Sequence, residues 1–160
     1  MTKVLQDSVD IRAPYEAVRD FFFHLDETFV SWSPDHREFE RVSGGMGVGD
    51  TVRFRETVAG VDYDVTGKIL ELEDDGGRFF IKFHSKYAWI SFEGRTNPDG
   101  TVRFTHTESF GEEGGVGARI INWLIFSVLG RRKANWDLIL RDMVEDNRLL
   151  KERLEGEQRA

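Results

Sequence analysis

The C-terminal part of the chain carries the clearest pattern of hydrophobic and polar positions. Between Asn135 and Leu154 apolar residues recur every three, four or seven positions, which places them on one face of an α-helix. These residues are Trp136, Leu140, Met143, Leu150 and Leu154, widened by Ile139 and Val144. One polar residue, Asn147, fills the missing turn. Because charged residues occupy the opposite face, we predict an amphipathic helix that packs on an earlier part of the chain.

Most of the chain before residue 111 alternates between apolar and polar positions, which predicts β-strands. The first strand spans 4–12, and Pro14 then favours the first turn of a short helix over 15–23. A second short helix or turn is predicted over 26–32. Six more strands are predicted, over 39–42, 51–58, 61–72, 78–84, 88–95 and 101–110. The sequence therefore predicts one α+β domain over 1–160, with a curved antiparallel sheet of about seven strands wrapped around the C-terminal helix.

Residues 118–129 form a second hydrophobic segment, which would be apolar on nearly all sides as a helix. Such a helix has to be covered, because it leaves no polar face for water. It is either part of the core, a lid over a ligand cavity, a homodimer face, or a membrane-surface contact beside the basic residues 131–133. The sequence leaves these alternatives open.

The composition narrows the choice of partners. A formal net charge of -7 and a pI of about 5.2 argue against nucleic acid and anionic membranes. The absence of cysteine excludes disulfides, a thiolate nucleophile and a cysteine-ligated zinc site. With no signal-peptide pattern and no apolar run of roughly 18 residues, we expect a cytoplasmic protein without an integral membrane segment. Thirteen Phe and four Trp indicate either a bulky core or an aromatic-lined pocket.

The order of elements, the segment from Val9 to Val18 and the terminal helix resemble the START-like superfamily. This superfamily is also called SRPBCC or helix-grip, and it includes pollen-allergen proteins, lipid-transfer domains and polyketide cyclases. The resemblance covers nearly the whole chain and implies an elongated apolar cavity between the sheet and the last helix. We therefore expect a hydrophobic small molecule, a lipid or an aromatic polyketide, as the ligand. The predicted ligand-binding residues are Trp32, Phe54, Phe104, Trp136, Met143 and Asn147.

A narrower resemblance begins at residues 32–36, Trp-Ser-Pro-Asp-His. The segment is similar to the branch of phloretin hydrolase and diacetylphloroglucinol hydrolase, which cleave a carbon–carbon bond in acylated phenols and hold zinc with two His and two Glu. Relatives often carry a second His where this chain has Ser33. The residues that match the zinc ligands are His36, Glu56, His106 and an acid on the last helix, for which we choose Asp146 from its place at the edge of the apolar stripe.

Two classes of function remain open at this stage. The first is a binding or transfer module without chemistry and without a cofactor. The second is an enzyme, either a polyketide cyclase/dehydratase or a zinc-dependent C–C hydrolase that acts on an acyl phenol. The alternation of apolar residues predicts that Glu56 and His106 point inward, where an unpaired charge is costly. The alternative is that both lie near strand ends and pair with neighbours.

Overall fold

The computed structural model describes residues 2–85, 88–111 and 133–158, together with positions 117, 119, 120, 123 and 127. In this part of the chain the elements are β1 (Lys3–Ile11), α1 (Tyr15–Phe23), α2 (Leu25–Trp32), β2 (His36–Ser43), β3 (Thr51–Val58), β4 (Val61–Asp74), β5 (Arg78–Ser85), β6 (Ala88–Thr96), β7 (Val102–Phe110) and α3 (Lys133–Glu157). The predicted helices and strands are confirmed. The main difference is that His36 begins β2, whereas the sequence pattern placed it in the preceding connection.

The seven strands form one antiparallel sheet in the order β1-β7-β6-β5-β4-β3-β2. Strands β2 to β7 pair with their neighbours in the chain through hairpins, and β1 pairs with β7 from Lys3↔Phe110 to Ile11↔Val102. Irregular registers in the β2–β3 and β4–β5 pairs are sites where a strand bends. The α+β prediction of a curved sheet around a C-terminal helix is confirmed.

Phe22 on α1 is the centre of an aromatic core on the inner face of the sheet. Its ring is fully buried and is surrounded by the rings of Phe104 at 4.6 Å, Phe92 at 5.0 Å, Trp32 at 5.3 Å, Phe21 at 5.4 Å and Phe79 at 5.7 Å. Three of these rings come from β5, β6 and β7, and one comes from α2. The two short helices are therefore fixed to the sheet through one shared cluster.

The apolar stripe of α3 is buried apart from Leu140, which is partly buried, and it divides between two clusters. Leu150 and Leu154 join the aromatic core, whereas Trp136, Ile139 and Met143 pack with residues at the other end of the sheet. The expectation that Val144 widens the stripe is wrong, because its side chain is 45% exposed. Because the helix turns by about 100° per residue, position 144 lies further round the helix than Leu140, which already marks the edge of the stripe.

Most of the segment 118–129, predicted as a core helix, lid, dimer face or membrane contact, lies outside the described residues. Two of its described positions, Ile120 and Trp123, are exposed. Among the helices of the described part, none is long and apolar enough to cross a membrane.

Candidate functional site

A pocket opens between α3 and the inner face of the sheet. The space free of atoms in and in front of it is about 790 Å³, part of which is open solvent. Its apolar wall comes from α2, four strands and α3, and includes Phe29, Trp32, Phe54, Phe83, Phe92, Ile139 and Met143. Its polar part includes His36, Glu56, His106, Glu108, Asp142 and Asp146. An apolar wall with a few convergent polar groups is typical of a small-molecule site.

The predicted ligand-binding residues divide into two groups. Trp32, Phe54 and Met143 line the pocket. Phe104 lies outside its wall, because its ring stacks on Phe22 within the core. Trp136 also lies outside, where it packs against Phe110 with 5.2 Å between ring centroids. The aromatic content of the chain thus forms both a core and a pocket wall.

Asn147 lies under α3 as predicted, but it contacts the sheet and does not line the pocket. Its Nδ2 donates a hydrogen bond of 2.8 Å to Oδ2 of Asp7 on β1, and the residue is only 1% exposed. Its Oδ1 has no hydrogen-bond partner in the described part of the chain. The helical pattern predicted that position 147 faces inward. It could not predict the partner, because Asp7 lies on a strand 140 positions earlier in the chain.

The ring of His36 is held in one orientation by α2. Its Nδ1 lies 3.0 Å from the carbonyl oxygen of Phe29, which can only accept, so Nδ1 carries a hydrogen. The imidazole also stacks on the Phe29 ring at 4.0 Å and meets the edge of Trp32 at 5.0 Å. Its Nε2 is thereby directed at two carboxylates, 3.5 Å from Oε2 of Glu56 and 3.4 Å from Oδ2 of Asp146.

The backbone places these three residues together. His36 and Glu56 are directly opposite each other in the β2–β3 pair. Asp146 is fixed because its carbonyl oxygen accepts a 2.8 Å hydrogen bond from Nε1 of Trp32. This hydrogen bond connects α3 to α2 next to the His36 ring. The group formed by His36, Glu56 and Asp146 is called the inner triad below.

Two groups of the inner triad, His36 and Glu56, have pKa values above their ordinary ones. Burial lowers the pKa of His36, but the hydrogen bond and charge of Asp146 together with the charge of Glu56 outweigh it, so the pKa lies above its ordinary 6.5. The pKa of Glu56 is raised from 4.5 to about 7, mainly by burial and in smaller part by the charges of Glu108 and Asp146, against the opposing charge of His36. A carboxyl group and an imidazole, both with raised pKa values, therefore lie side by side in the pocket.

His106 on β7 lies beside Glu108. Its Nε2 is 3.4 Å from Oε1 of Glu108, and its ring packs 4.8 Å from that of Phe92. Neither ring nitrogen makes a hydrogen bond within the described residues, although His106 is only 7% exposed. Glu108 was not among the predicted site residues. Its signal was present in the sequence, because position 108 shares the inward face of the strand with position 106.

The four predicted zinc ligands do not converge on one point. Ligands around a tetrahedral zinc, at about 2.0–2.2 Å from the metal, lie roughly 3.3–3.6 Å apart, which the His36–Glu56 and His36–Asp146 distances satisfy. His106, however, pairs with Glu108. Nowhere in the described ranges do three or more His, Asp or Glu side chains form a group that could hold a metal ion. The residues as placed do not complete a zinc site, and zinc binding stays a prediction.

Searches with protein-family models and against curated proteins found no match for this sequence. Solved structures do match over nearly the full length. The ZhuI aromatase/cyclase from Streptomyces sp. R1128 is 16% identical with a TM-score of 0.67, and the alignment covers 100% of this chain and 98% of that chain. Ara h 8.0201 is 12% identical with a TM-score of 0.65, covering 98% and 99%. The chain has the START-like helix-grip fold.

A third helix-grip structure, a polyketide-cyclase-like protein from Corynebacterium glutamicum, is 16% identical with a TM-score of 0.59 and covers 99% of this chain and 94% of that chain. At these identities the likeness concerns the fold, and the site has to be interpreted from its own residues. In this helix-grip protein the polar groups gather where β2, β3 and β7 meet α3. The pocket wall, the inner triad and the His106–Glu108 pair are therefore interpreted from the residues of this chain.

Proposed function

We propose that this helix-grip protein binds a hydrophobic, ring-bearing small molecule of the lipid or aromatic polyketide class in the pocket between the sheet and α3. The observation that carries the proposal is the wall of aromatic and aliphatic side chains that ends at two histidine–carboxylate groups. Apolar surface removed from water contributes roughly 25 cal/mol per Å², so the wall supplies affinity. The polar side chains of the pocket would form hydrogen bonds with hydroxyl or keto groups of the ligand. These bonds would fix the orientation of the ligand's ring against the apolar wall.

Filling the pocket should weaken this binding. Met143 lines the pocket and is 3% exposed, so Met143→Trp places a larger ring in the space that the ligand would occupy. We expect the affinity for a neutral fluorescent naphthalene probe to fall by roughly tenfold or more, about 1.4 kcal/mol. The measurement is a fluorescence titration of both proteins.

Leu138→Trp is the matched control, because it adds a ring of the same size on the same helix at a position that is 40% exposed. The control should bind the probe like the wild type. Equal binding by Met143→Trp and wild type would place the probe outside the pocket and contradict the proposal. Mass spectrometry of molecules that co-purify with the wild type would identify a natural ligand in the same preparation.

A second candidate function, cyclisation and dehydration of a polyketide-like substrate, is favoured by the inner triad. A general base works best when its pKa lies near the working pH, as it does for Glu56 at about 7. The Glu56 carboxylate would take a proton from the carbon next to a ketone, and protonated His36 would donate a proton to the oxygen of the ketone that is attacked. One carbon–carbon bond forms, and loss of water from the resulting alcohol completes the dehydration. One of the similar structures is named an aromatase/cyclase, and another is named a Polyketide_cyc-like protein.

Substitution of Glu56 distinguishes catalysis from binding. With a poly-β-ketone substrate, we expect Glu56→Gln to slow formation of the aromatic product by about 10²–10⁴-fold while the neutral probe still binds. Glu145→Gln is the control, since Glu145 lies at the mouth and pairs with Arg148. Equal rates in wild type, Glu56→Gln and a blank without protein would leave binding as the function. Hydrolysis that appears only after zinc is added to the wild type would favour the zinc-dependent C–C hydrolase instead.

A further inference from the structure

The charged groups around the pocket are unbalanced in sign. Six carboxylates and no Lys or Arg stand among the described residues that line it: Asp35, Glu56, Glu108, Asp142, Glu145 and Asp146. Three of these carboxylates lie toward the mouth, where a protein partner or water solvates their charge. Glu145 pairs with Arg148 at 2.6 Å, Asp142 accepts a hydrogen bond from the backbone N–H of Ala59, and Asp35 is exposed. The other three carboxylates are inside.

The inner carboxylates repel one another across the pocket. Glu56 is on β3 and Glu108 on β7, with three strands between them in the sheet, yet the curved sheet brings them close enough for the charge of Glu108 to act on Glu56. Asp146 acts on the same carboxyl from α3, and Tyr63 on β4 experiences the charges of both glutamates. Among the described groups that influence Glu56, His36 is the one that opposes this negative charge. Among the described residues, three inner carboxylates therefore face His36 as the one group that the raised pKa favours in a positive state.

An independent observation points to a ligand at the same place. The side chain of His106 lines the pocket and is more than nine-tenths buried. Its Nε2 lies 3.4 Å from Oε1 of Glu108 without forming a hydrogen bond, and its Nδ1 has no hydrogen-bond partner among the described residues. A buried polar group without a partner is unfavourable unless something else supplies the hydrogen bond. The neutral imidazole offers one acceptor nitrogen, which a ligand N–H or O–H would satisfy.

We propose that the pocket is selective for an aromatic amine, bound as the ammonium ion, with its ring on the aromatic wall and its positive charge facing Glu56, Glu108 and Asp146. This goes beyond the proposed ligand class and rests on one part of the proposed function, the binding of a ring-bearing molecule in this pocket. An ammonium group has three N–H donors and no acceptor, which suits carboxylate oxygens and the free nitrogen of His106. The faces of nearby aromatic rings such as Trp32 also attract a cation. A ligand that ends in a carboxylate, such as a fatty acid, would meet charge of its own sign.

Three probes of one shape and different charge test this selectivity. The probes are 1-naphthylmethylamine, 1-naphthalenemethanol and 1-naphthoic acid, titrated by calorimetry against metal-free protein at low ionic strength and neutral pH. The amine is expected to bind roughly tenfold or more tightly than the alcohol, and the acid more weakly than either. An amine that binds no more tightly than the alcohol overturns the inference and leaves the proposed function standing. If none of the three probes binds, the proposed function itself fails.

A pair of variants separates local charge from the net charge of the protein. Glu108→Gln removes one inner carboxylate, and Glu40→Gln removes an exposed one on β2 that pairs with Arg53 outside the pocket. Glu108→Gln should reduce the preference for the amine over the alcohol by at least about threefold, while the affinity for the alcohol reports that the pocket is intact. Glu40→Gln should leave the preference unchanged. Equal preferences in the two variants would attribute the selectivity to the overall charge and overturn the inference.

Discussion

Replacing Phe22 with alanine is expected to lower the free energy of unfolding by about 3–5 kcal/mol, because it removes a fully buried ring and leaves a cavity. The cavity cannot collapse easily, since the surrounding rings belong to α1, α2 and three different strands. The measurement is the urea midpoint and slope of the variant against the wild type. The loss should extend to the pocket, because Trp32 and Phe92 contact Phe22 and also line the pocket.

Phe80→Ala is the matched control. Phe80 is on the outer side of β5 next to the guanidinium of Arg78 and is only partly buried, so its truncation should cost much less. A similar loss for both variants would show that the cluster around Phe22 is not the central packing unit. Retention of naphthalene binding by the destabilised Phe22→Ala protein would show that the pocket is built independently of this core.

The fold was predictable because each element carries its own period. The stripe along α3 and the alternation Val52, Phe54, Glu56 are local patterns. They are visible in the sequence because an element with one buried face has apolar residues at a regular spacing. The prediction for Val144 was wrong at the margin of the stripe, where a helical position is decided by the shape of the partner surface. His36 was assigned to a connection because the strand that it begins is recognisable only from its pairing with Glu56 on β3.

The site was less predictable, because its geometry depends on contacts between distant segments. The sequence indicated through its period that Glu56 and His106 face inward, and through the family resemblance that His36 and Asp146 join them; all four line the pocket. It did not indicate how they divide, since the pairing of His106 with Glu108 and of His36 with Asp146 follows from the curvature of the sheet. For Asn147, Phe104 and Trp136 the period predicted burial, but period alone does not distinguish a core position from a pocket wall.

The second large effect is expected for Glu56→Gln, which should stabilise the protein at alkaline pH. In the folded protein burial raises the pKa of this carboxyl from 4.5 to about 7. Between these values the folded state holds a proton that the unfolded state has released, so the stability of the wild type falls as the pH rises through this range. Above about pH 7 the whole cost of a buried carboxylate is present. A rise from 4.5 to about 7 corresponds to roughly 3.5 kcal/mol at most, at about 1.4 kcal/mol per tenfold change in proton affinity.

His36 contributes a pH dependence of the same sign. Its pKa is raised in the folded state, so its stabilising effect is complete below 6.5 and is lost as the pH rises through the folded value. Removing the Glu56 charge weakens this effect, because Glu56 is one of the two carboxylates that hold the proton on His36. The advantage of the variant should therefore be small near pH 5 and largest well above pH 7, where Glu56 has lost its proton.

The measurement is the free energy of unfolding of wild type, Glu56→Gln and Glu145→Gln between pH 4.5 and pH 8.5. Glu56→Gln should gain on the order of 2 kcal/mol over the wild type at the alkaline end, with the gain shrinking toward acid. Glu145→Gln should gain nothing there, because Arg148 lowers the pKa of Glu145 and its removal takes away a favourable charge. A gain in stability that does not vary with pH would mean that the pKa of the Glu56 carboxyl is not raised in the folded protein. The base proposed for cyclisation would then lack the pKa that suits it to the reaction.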